Sequence, residues 1–278
     1  MRVCLMIEGQ EGVTWDQWRA LATTAEAAGF DALFRSDHYM SLEGAPGRGS
    51  LDAWSTISAL SALTTTLRLG TLVSPATFRH PSVLARSVVT ADHVSGGRVE
   101  LGMGTGWHEG EHRAFGFPFE SQRERFDRLA EQVEIVHRSW GPEPLHFEGA
   151  FYRLDRADAL PKPVQQPHPP LLLGGKAGPR AAALAARWAD EYNTTFATPE
   201  ECAERRERIA AACRELGREP IPFSLMSGFW ADLDPDALIE RLREYEAAGV
   251  ERVMLQHLRH EDLAIVELIG REVIPAVR

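Results

Sequence analysis

The sequence predicts an α/β fold, a closed (β/α)₈ TIM barrel with an insertion around residues 141–170, on three observations. Short apolar runs alternate with amphipathic stretches from one end of the chain to the other, the count reaches eight strand–helix pairs, and their span suits such a barrel. Gly29 and Gly249 stand just past two of the expected helices, where a left-handed stop is usual. No linker or compositional shift divides the chain, so a single domain over 1–278 is expected.

Val3–Ile7 reads as a buried strand and Trp15–Ala28 as a helix; Ala32–Phe34 is the second strand, followed by the polar loop SDHYMSLEGAPGRGS. Leu51–Leu63 is helical, Leu67–Val73 strand, Pro81–Val94 helical, Val99–Met103 the fourth strand and Phe126–Trp140 a long helix. Residues 141–170 then break the rhythm with many prolines and the aromatic-polar segment HFEGAFYRL, an excursion over one end of the fold. Alternation resumes with strand Leu171–Leu173, helix Arg180–Ala189, strand Glu191–Thr194 and helix Pro199–Leu216. Strand Ile221–Ser227, helix Pro235–Ala248, strand Val250–Gln256 and helix Asp262–Val273 complete the series.

Composition narrows the function classes. The net charge is −10, which disfavours nucleic acid and anionic membranes as partners. No apolar run approaches a membrane span, and the opening MRVCLMIEG lacks the pattern of a signal peptide. Cys4, Cys202 and Cys213 show no paired spacing, which suits a reducing cytoplasm.

In such a barrel, function sits on the loops after each strand's carboxyl end. Here these are Glu8–Gly9, Ser36–His38, Thr71–Pro75, Gly104–Glu111, Gly174–Gly178, Asn193–Thr194, Ser227–Trp230 and Gln256–His257. The loop LLLGGKAGPR runs from a strand through glycines into a helix start, exposing N–H groups where the helix dipole favours an anion, with Lys176 as a movable cation. It reads either as a phosphate cradle or as a tight turn without a ligand. His38, beside Asp37, is a candidate proton carrier, and Trp107 could wall off a planar ligand or cap the mouth. HEGEH at 108–112 matches the zinc-hydrolase pattern, but Gly110, Gly116 and Pro118 leave little rigid helix, so no metal is expected. Glycines 102, 104 and 106 miss the dinucleotide fingerprint because Trp107 fills the third glycine's place. The charged run at 204–208 reads as a solvated helix face.

Together, FDALFRSDH, RLGTLVSPATFRHPSVLA, SGGRVELGMGTGWHEGEHRAFGFPF and LLLGGKAGPRAAALAARWADEYN resemble the luciferase-like monooxygenase superfamily, in particular its deazaflavin (coenzyme F420)-dependent branch. The resemblance implies that Asp37 and His38 lie beside the cofactor ring, with His38 as proton donor or acceptor. It implies a non-proline cis peptide between Leu72 and Val73 behind the ring, and a flanking loop made of Gly104, Gly106 and Trp107. Gly174, Gly175, Lys176, Ala177 and Gly178 match the loop that takes the cofactor phosphate by its backbone; Asn193 and Thr194, ending the next strand, join the cofactor-binding set. A sugar-phosphate dehydrogenase of the superfamily carries a catalytic glutamate where this chain has Trp107, so that role is not expected. Glu109 and Glu111 follow closely, and Glu111 reads as a structural anchor.

The function so implied is an F420-dependent oxidoreductase moving a hydride to or from a small organic substrate, in a homodimer. The alternatives are an FMN-dependent monooxygenase on the same barrel, a non-catalytic flavin or F420 binder, and, more distantly, a zinc hydrolase.

Overall fold

The computed structural model describes residues 1–228, 230 and 234–278. Eight parallel strands close a barrel: β1 (Arg2–Ile7), β2 (Ala32–Arg35), β3 (Arg68–Pro75), β4 (Val99–Gly104), β7 (Leu171–Gly174), β8 (Glu191–Thr195), β9 (Phe223–Ser227) and β10 (Arg252–His257). Their order is that of the chain, and β10 pairs back to β1 with Val3 opposite Val253. The helices α1 (Trp15–Ala27), α2 (Ala53–Leu63), α3 (Pro81–Ser95), α5 (Gln122–Trp140), α6 (Pro179–Trp188), α7 (Pro199–Glu215) and α8 (Pro235–Ala247) wrap the outside. Their apolar faces pack on the strands in one continuous core that includes Trp18, Leu33, Trp54, Val88, Val136, Tyr192 and Leu255. Among the described residues no helix is long and apolar enough to cross a membrane.

Strand alternation sends a second set of side chains into the barrel, among them Met6, Phe34, Leu72, Leu172, Met226 and Met254. The amino end of the barrel is closed by ions. Arg252 donates to Glu100 at 2.8 and 3.1 Å and to Glu191 at 3.1 Å, beneath the Phe34 ring. That floor leaves the carboxyl end of the strands as the open end.

Four features depart from the sequence reading. A seven-residue helix, α4 (Glu109–Phe115), follows β4; His108 caps it by accepting the Glu111 N–H on Nδ1, a role that histidine seldom signals in sequence. Helix α5 begins a turn earlier than expected because Ser121 and Glu124 form a capping box. The insertion contains an antiparallel pair, β5 (Leu145–Glu148) and β6 (Arg153–Ala157), which seats Phe147 and Tyr152 against α5. The last helix is not continuous: α9 (Leu263–Leu268) passes through a π turn at Ile269–Val273 into α10 (Ile274–Val277), where Pro275 removes a backbone donor.

The Leu72–Val73 peptide is cis, as the resemblance implied, and the β3–β4 register shifts between Thr71 and Ser74. Val73 thereby leans over β4, which explains the glycines there. A Cβ on Gly104 would stand 2.6 Å from Val73 Cγ2, and one on Gly102 would collide with the Thr71 carbonyl.

Candidate active site

A cavity of about 510 Å³ opens at the carboxyl ends of the strands, a size typical of small-molecule and cofactor sites. Leu72, Val73 and Pro75 come to it from β3, Gly104 to Trp107 from the end of β4, and Gly174 and Gly175 from the end of β7. Glu8, Gln10 and Glu11 face it after β1, Ser36 to His38 after β2, and Asn193, Thr195 and Phe196 after β8. Leu42, Glu43, Met226, Gln256 and Leu258 complete the wall. Phe229, in the predicted Ser227–Trp230 loop, lies outside the described residues.

His38 is better braced than the sequence suggested. His38 Nδ1 lies 2.7 Å from Glu111 Oε2, and the Tyr39 N–H donates to the other carboxylate oxygen at 2.5 Å. A carboxylate can only accept, so Nδ1 carries the hydrogen and Nε2 the lone pair; this tautomer is assigned from the hydrogen-bond pattern. Glu111 is 0 % exposed. Burial pushes its carboxyl up, but the His38 bond and charge, with the backbone donors of Tyr39 and Met40, outweigh this and hold it below the ordinary carboxylate range. Glu111 is therefore the orienting partner of His38, more than the anchor expected of it.

Asp37 also lines the cavity, and its carboxylate is held by β3 and by Arg79. Its Oδ2 accepts from Ser74 Oγ at 2.7 Å and from Arg79 at 2.5 Å, and Arg79 reaches on to Asp52 at 2.5 Å and the Tyr39 hydroxyl at 3.0 Å. Asp52 in turn caps α2; burial raises its carboxyl, but the Ser55 N–H and Arg79 bring it down to about 2. Asp37 thus ties the end of β2 to the bulge of β3, and so fixes where His38 begins.

Trp107 lies at the rim with its ring edge-on to His38, centroids 5.9 Å apart, and is 62 % exposed. Gly106 has φ +76, and a Cβ there would stand 2.8 Å from Thr77 Oγ1, so the turn that delivers Trp107 requires glycine. In the glycine loop after β7, the Gly175 N–H is taken by the Asn193 carbonyl at 3.0 Å and the Ala177 N–H by the Tyr192 hydroxyl at 3.0 Å. Gly178 caps α6 without a side-chain bond, leaving the first N–H groups of that helix uncapped. Lys176 is exposed and does not line the cavity.

Asn193 and Thr194 part company. Asn193 lines the cavity and donates to Ser224 Oγ and Met254 Sδ at 2.9 and 3.5 Å. Thr194 faces the other way, its hydroxyl accepting from Arg205 of α7 at 2.6 Å, because neighbouring strand residues point to opposite faces. Thr195 takes the place at the cavity expected of Thr194. Gln256, from the loop expected after the last strand, and Gln10, which the sequence did not single out, donate to the two oxygens of Glu8 at 2.7 and 2.9 Å.

Apart from Glu111, HEGEH is spent on structure. Nδ1 of His108 caps α4, Nδ1–H of His112 donates to the His108 carbonyl at 2.8 Å, and Nε2 of His112 accepts from Thr77 at 2.7 Å. Glu109 is paired on the surface with Arg113. Among the described residues no three metal-ligating side chains converge.

The profile of the luciferase-like monooxygenase family matches residues 2–265. The chain is 29 % identical to an F420-dependent glucose-6-phosphate dehydrogenase of Nakamurella multipartita, across 93 % of this chain and 91 % of that protein. It is 31 % identical to an FMNH2-dependent dimethylsulfone monooxygenase of Pseudomonas putida, across 66 % of this chain and 50 % of that one. An F420-dependent secondary alcohol dehydrogenase, solved in complex with an F420–acetone adduct, superposes with a TM-score of 0.87 over 100 % of this chain and 99 % of that one, at 20 % identity, a likeness of fold. With the family profile covering all eight barrel strands, the chain belongs to the luciferase-like monooxygenase family of oxidoreductases.

Proposed function

We propose that the protein is an F420-dependent oxidoreductase that moves a hydride to or from a small organic substrate in the cavity at the carboxyl ends of the strands. The observation that carries this reading is His38, braced by the fully buried Glu111 at the edge of a cavity walled by backbone. The F420-dependent relative, matched over nearly its whole length, supports the choice of cofactor.

The residues suit a flat ring with a phosphate tail. Gly104, Gly106, Gly174 and Gly175 present bare backbone, Leu72 and Val73 an apolar backing, and Asn193 a polar contact, while a Cβ on Gly174 would meet only ordinary contacts of 3.5 Å or more. The uncapped start of α6, with the N–H groups of Lys176 and Gly178, would hold the phosphate. When bound, the deazaflavin supplies a ring carbon that accepts or returns the hydride. His38 Nε2 takes the proton of a substrate hydroxyl in the oxidising direction and returns it in the other. Glu111 keeps the ring in that tautomer and stabilises its charged form, Asp37 and Arg79 hold the loop in place, and Trp107 shields the site from water.

FMN is the second reading, supported by the FMNH2-dependent relative. On either reading the chain acts as one domain, as a homodimer in the cytoplasm, on a small-molecule substrate. The dimer has support in α2, whose outward positions Ser55, Ala59, Ala62 and Leu63 carry no charge in a protein of net charge −10. Titration of the purified protein with F420 and with FMN, followed by fluorescence, tests the proposal. Tight F420 binding is expected; tight FMN binding with no affinity for F420 would reverse the order. An unchanged turnover in His38→Ala would remove the histidine from the chemistry.

A further inference from the structure

Among the described residues, the cavity is lined by no lysine or arginine. Its carboxylates are unequally treated. Asp37 is neutralised by Arg79, and Glu11 and Glu43 by Arg48 from outside the lining. Glu8 alone of the four pairs with no cation among the described residues. Its two oxygens are held apart by single amide N–H bonds from Gln10 and Gln256, so each keeps acceptor capacity. It is 9 % exposed.

A carboxylate positioned by neutral amides and left facing a cavity without lysine or arginine does two things. It repels an anionic group set against its own oxygens, and it offers a strong acceptor to a donor on the substrate. Much of the remaining lining is apolar: Leu42, Met226, Phe196 and Leu258, with Trp107 at the rim. Phe196 and Leu258 are exposed and present apolar surface at the rim.

We infer that the substrate is a largely apolar molecule anchored by a hydrogen-bond donor, a hydroxyl or an amine, on Glu8, and that phosphorylated and carboxylated substrates are excluded. This rests on the oxidoreductase reading and deepens it. Glu8 here binds and discriminates; it is not assigned a proton in the reaction. The sugar-phosphate chemistry in the name of the Nakamurella relative is, on this inference, not that of this chain.

The test uses four probes with one apolar body: cyclohexanol, cyclohexylamine, cyclohexanecarboxylate and cyclohexyl phosphate. Each is added to the protein saturated with F420, and its binding is read by saturation-transfer NMR, independently of turnover. Saturation of cyclohexanol or cyclohexylamine, with none of the two anions, is expected; the ratio of the first two tells a hydroxyl substrate from an amine. Glu8→Gln should weaken the bound donor about tenfold or more, as loss of a charge-assisted bond does, and leave F420 affinity unchanged. It should also admit the carboxylate. Binding of either anion as well as the alcohol by the wild type, or an alcohol signal indifferent to Glu8→Gln, would overturn the inference. Failure of F420 itself to saturate the protein strikes the cofactor assignment instead, and the four probes are then compared in the FMN-loaded protein.

Discussion

Glu111→Gln probes the dyad at the centre of the site. The substitution keeps the shape of the side chain but replaces one acceptor oxygen with an NH2 group. Glu111 meets His38 Nδ1 at 2.7 Å and the Tyr39 N–H at 2.5 Å, both of which require an acceptor. A glutamine can satisfy only one of them. With its oxygen toward Tyr39, its NH2 faces Nδ1, and the imidazole must shift its hydrogen to Nε2, the wrong tautomer for a base. Hydrogen bonds to a charged group are worth about 1.5–3 kcal/mol against about 0.5–1.5 for neutral ones, so a stability loss of about 1–3 kcal/mol is expected at neutral pH. The sign with pH follows from the lowered carboxyl of Glu111: its contribution is present above the ordinary carboxylate range and is lost as pH falls through the depressed folded value. Two-bond 1H–15N NMR correlations, with the His38 signals assigned through His38→Asn, report the tautomer directly, and urea unfolding reports the stability. A wild-type ring protonated on Nδ1 that switches to Nε2 in Glu111→Gln is the expected result. Identical imidazole spectra and unfolding midpoints in the two proteins would refute the reasoning.

Arg79→Met leaves Asp37, only 1 % exposed, with Ser74 as its remaining partner, and should cost about 3–5 kcal/mol in urea unfolding, the range for stranding a buried charge. Gly104→Ala places a Cβ 2.6 Å from Val73 Cγ2 and should cost about 1–3 kcal/mol, read as a lowered thermal midpoint. Burial, with His260 adding to it, pushes the His257 imidazole down from 6.5 to about 4. Between those values the unfolded chain binds a proton that the folded one refuses, so stability should rise with pH from about 4 to 6.5 and then level off. His257→Gln should flatten that slope.

What sequence could read and what it could not divide along physical lines. The strands of the barrel were legible because a parallel sheet buried on both faces leaves continuous apolar runs, as at Leu171–Leu173 between prolines and glycines. The glycines of the site were legible for the same kind of reason, since a bare backbone has few other causes. The partner of His38 was not. Glu111 lies 73 residues away on a seven-residue helix whose cap is a histidine and whose sequence includes Gly110, so neither the helix nor the bond leaves a local trace. Asp37 is the neighbour of His38 in sequence, whereas Glu111, its hydrogen-bond partner, is brought to it only by the fold. The place of Thr194 was within reach: two-residue alternation along β8 gives Asn193 and Thr195 to the mouth and Thr194 to the helix layer. The hairpin in the insertion escaped because its strands are short and half exposed, with no long alternating pattern.

The claim on which the account turns is that the cofactor ring lies against the glycines at the mouth of the barrel. Gly174 lines the cavity, and a Cβ there meets nothing closer than 3.5 Å, so Gly174→Phe should fold normally while its ring fills the space. The decisive measurement is the F420 affinity of this variant against the wild type, by calorimetry, with the thermal midpoint of each as a control on folding. Affinity lowered by about a hundredfold or more, a loss of about 2.7 kcal/mol, is expected at an unchanged midpoint. Equal affinity in the two proteins would place the cofactor elsewhere and contradict that claim.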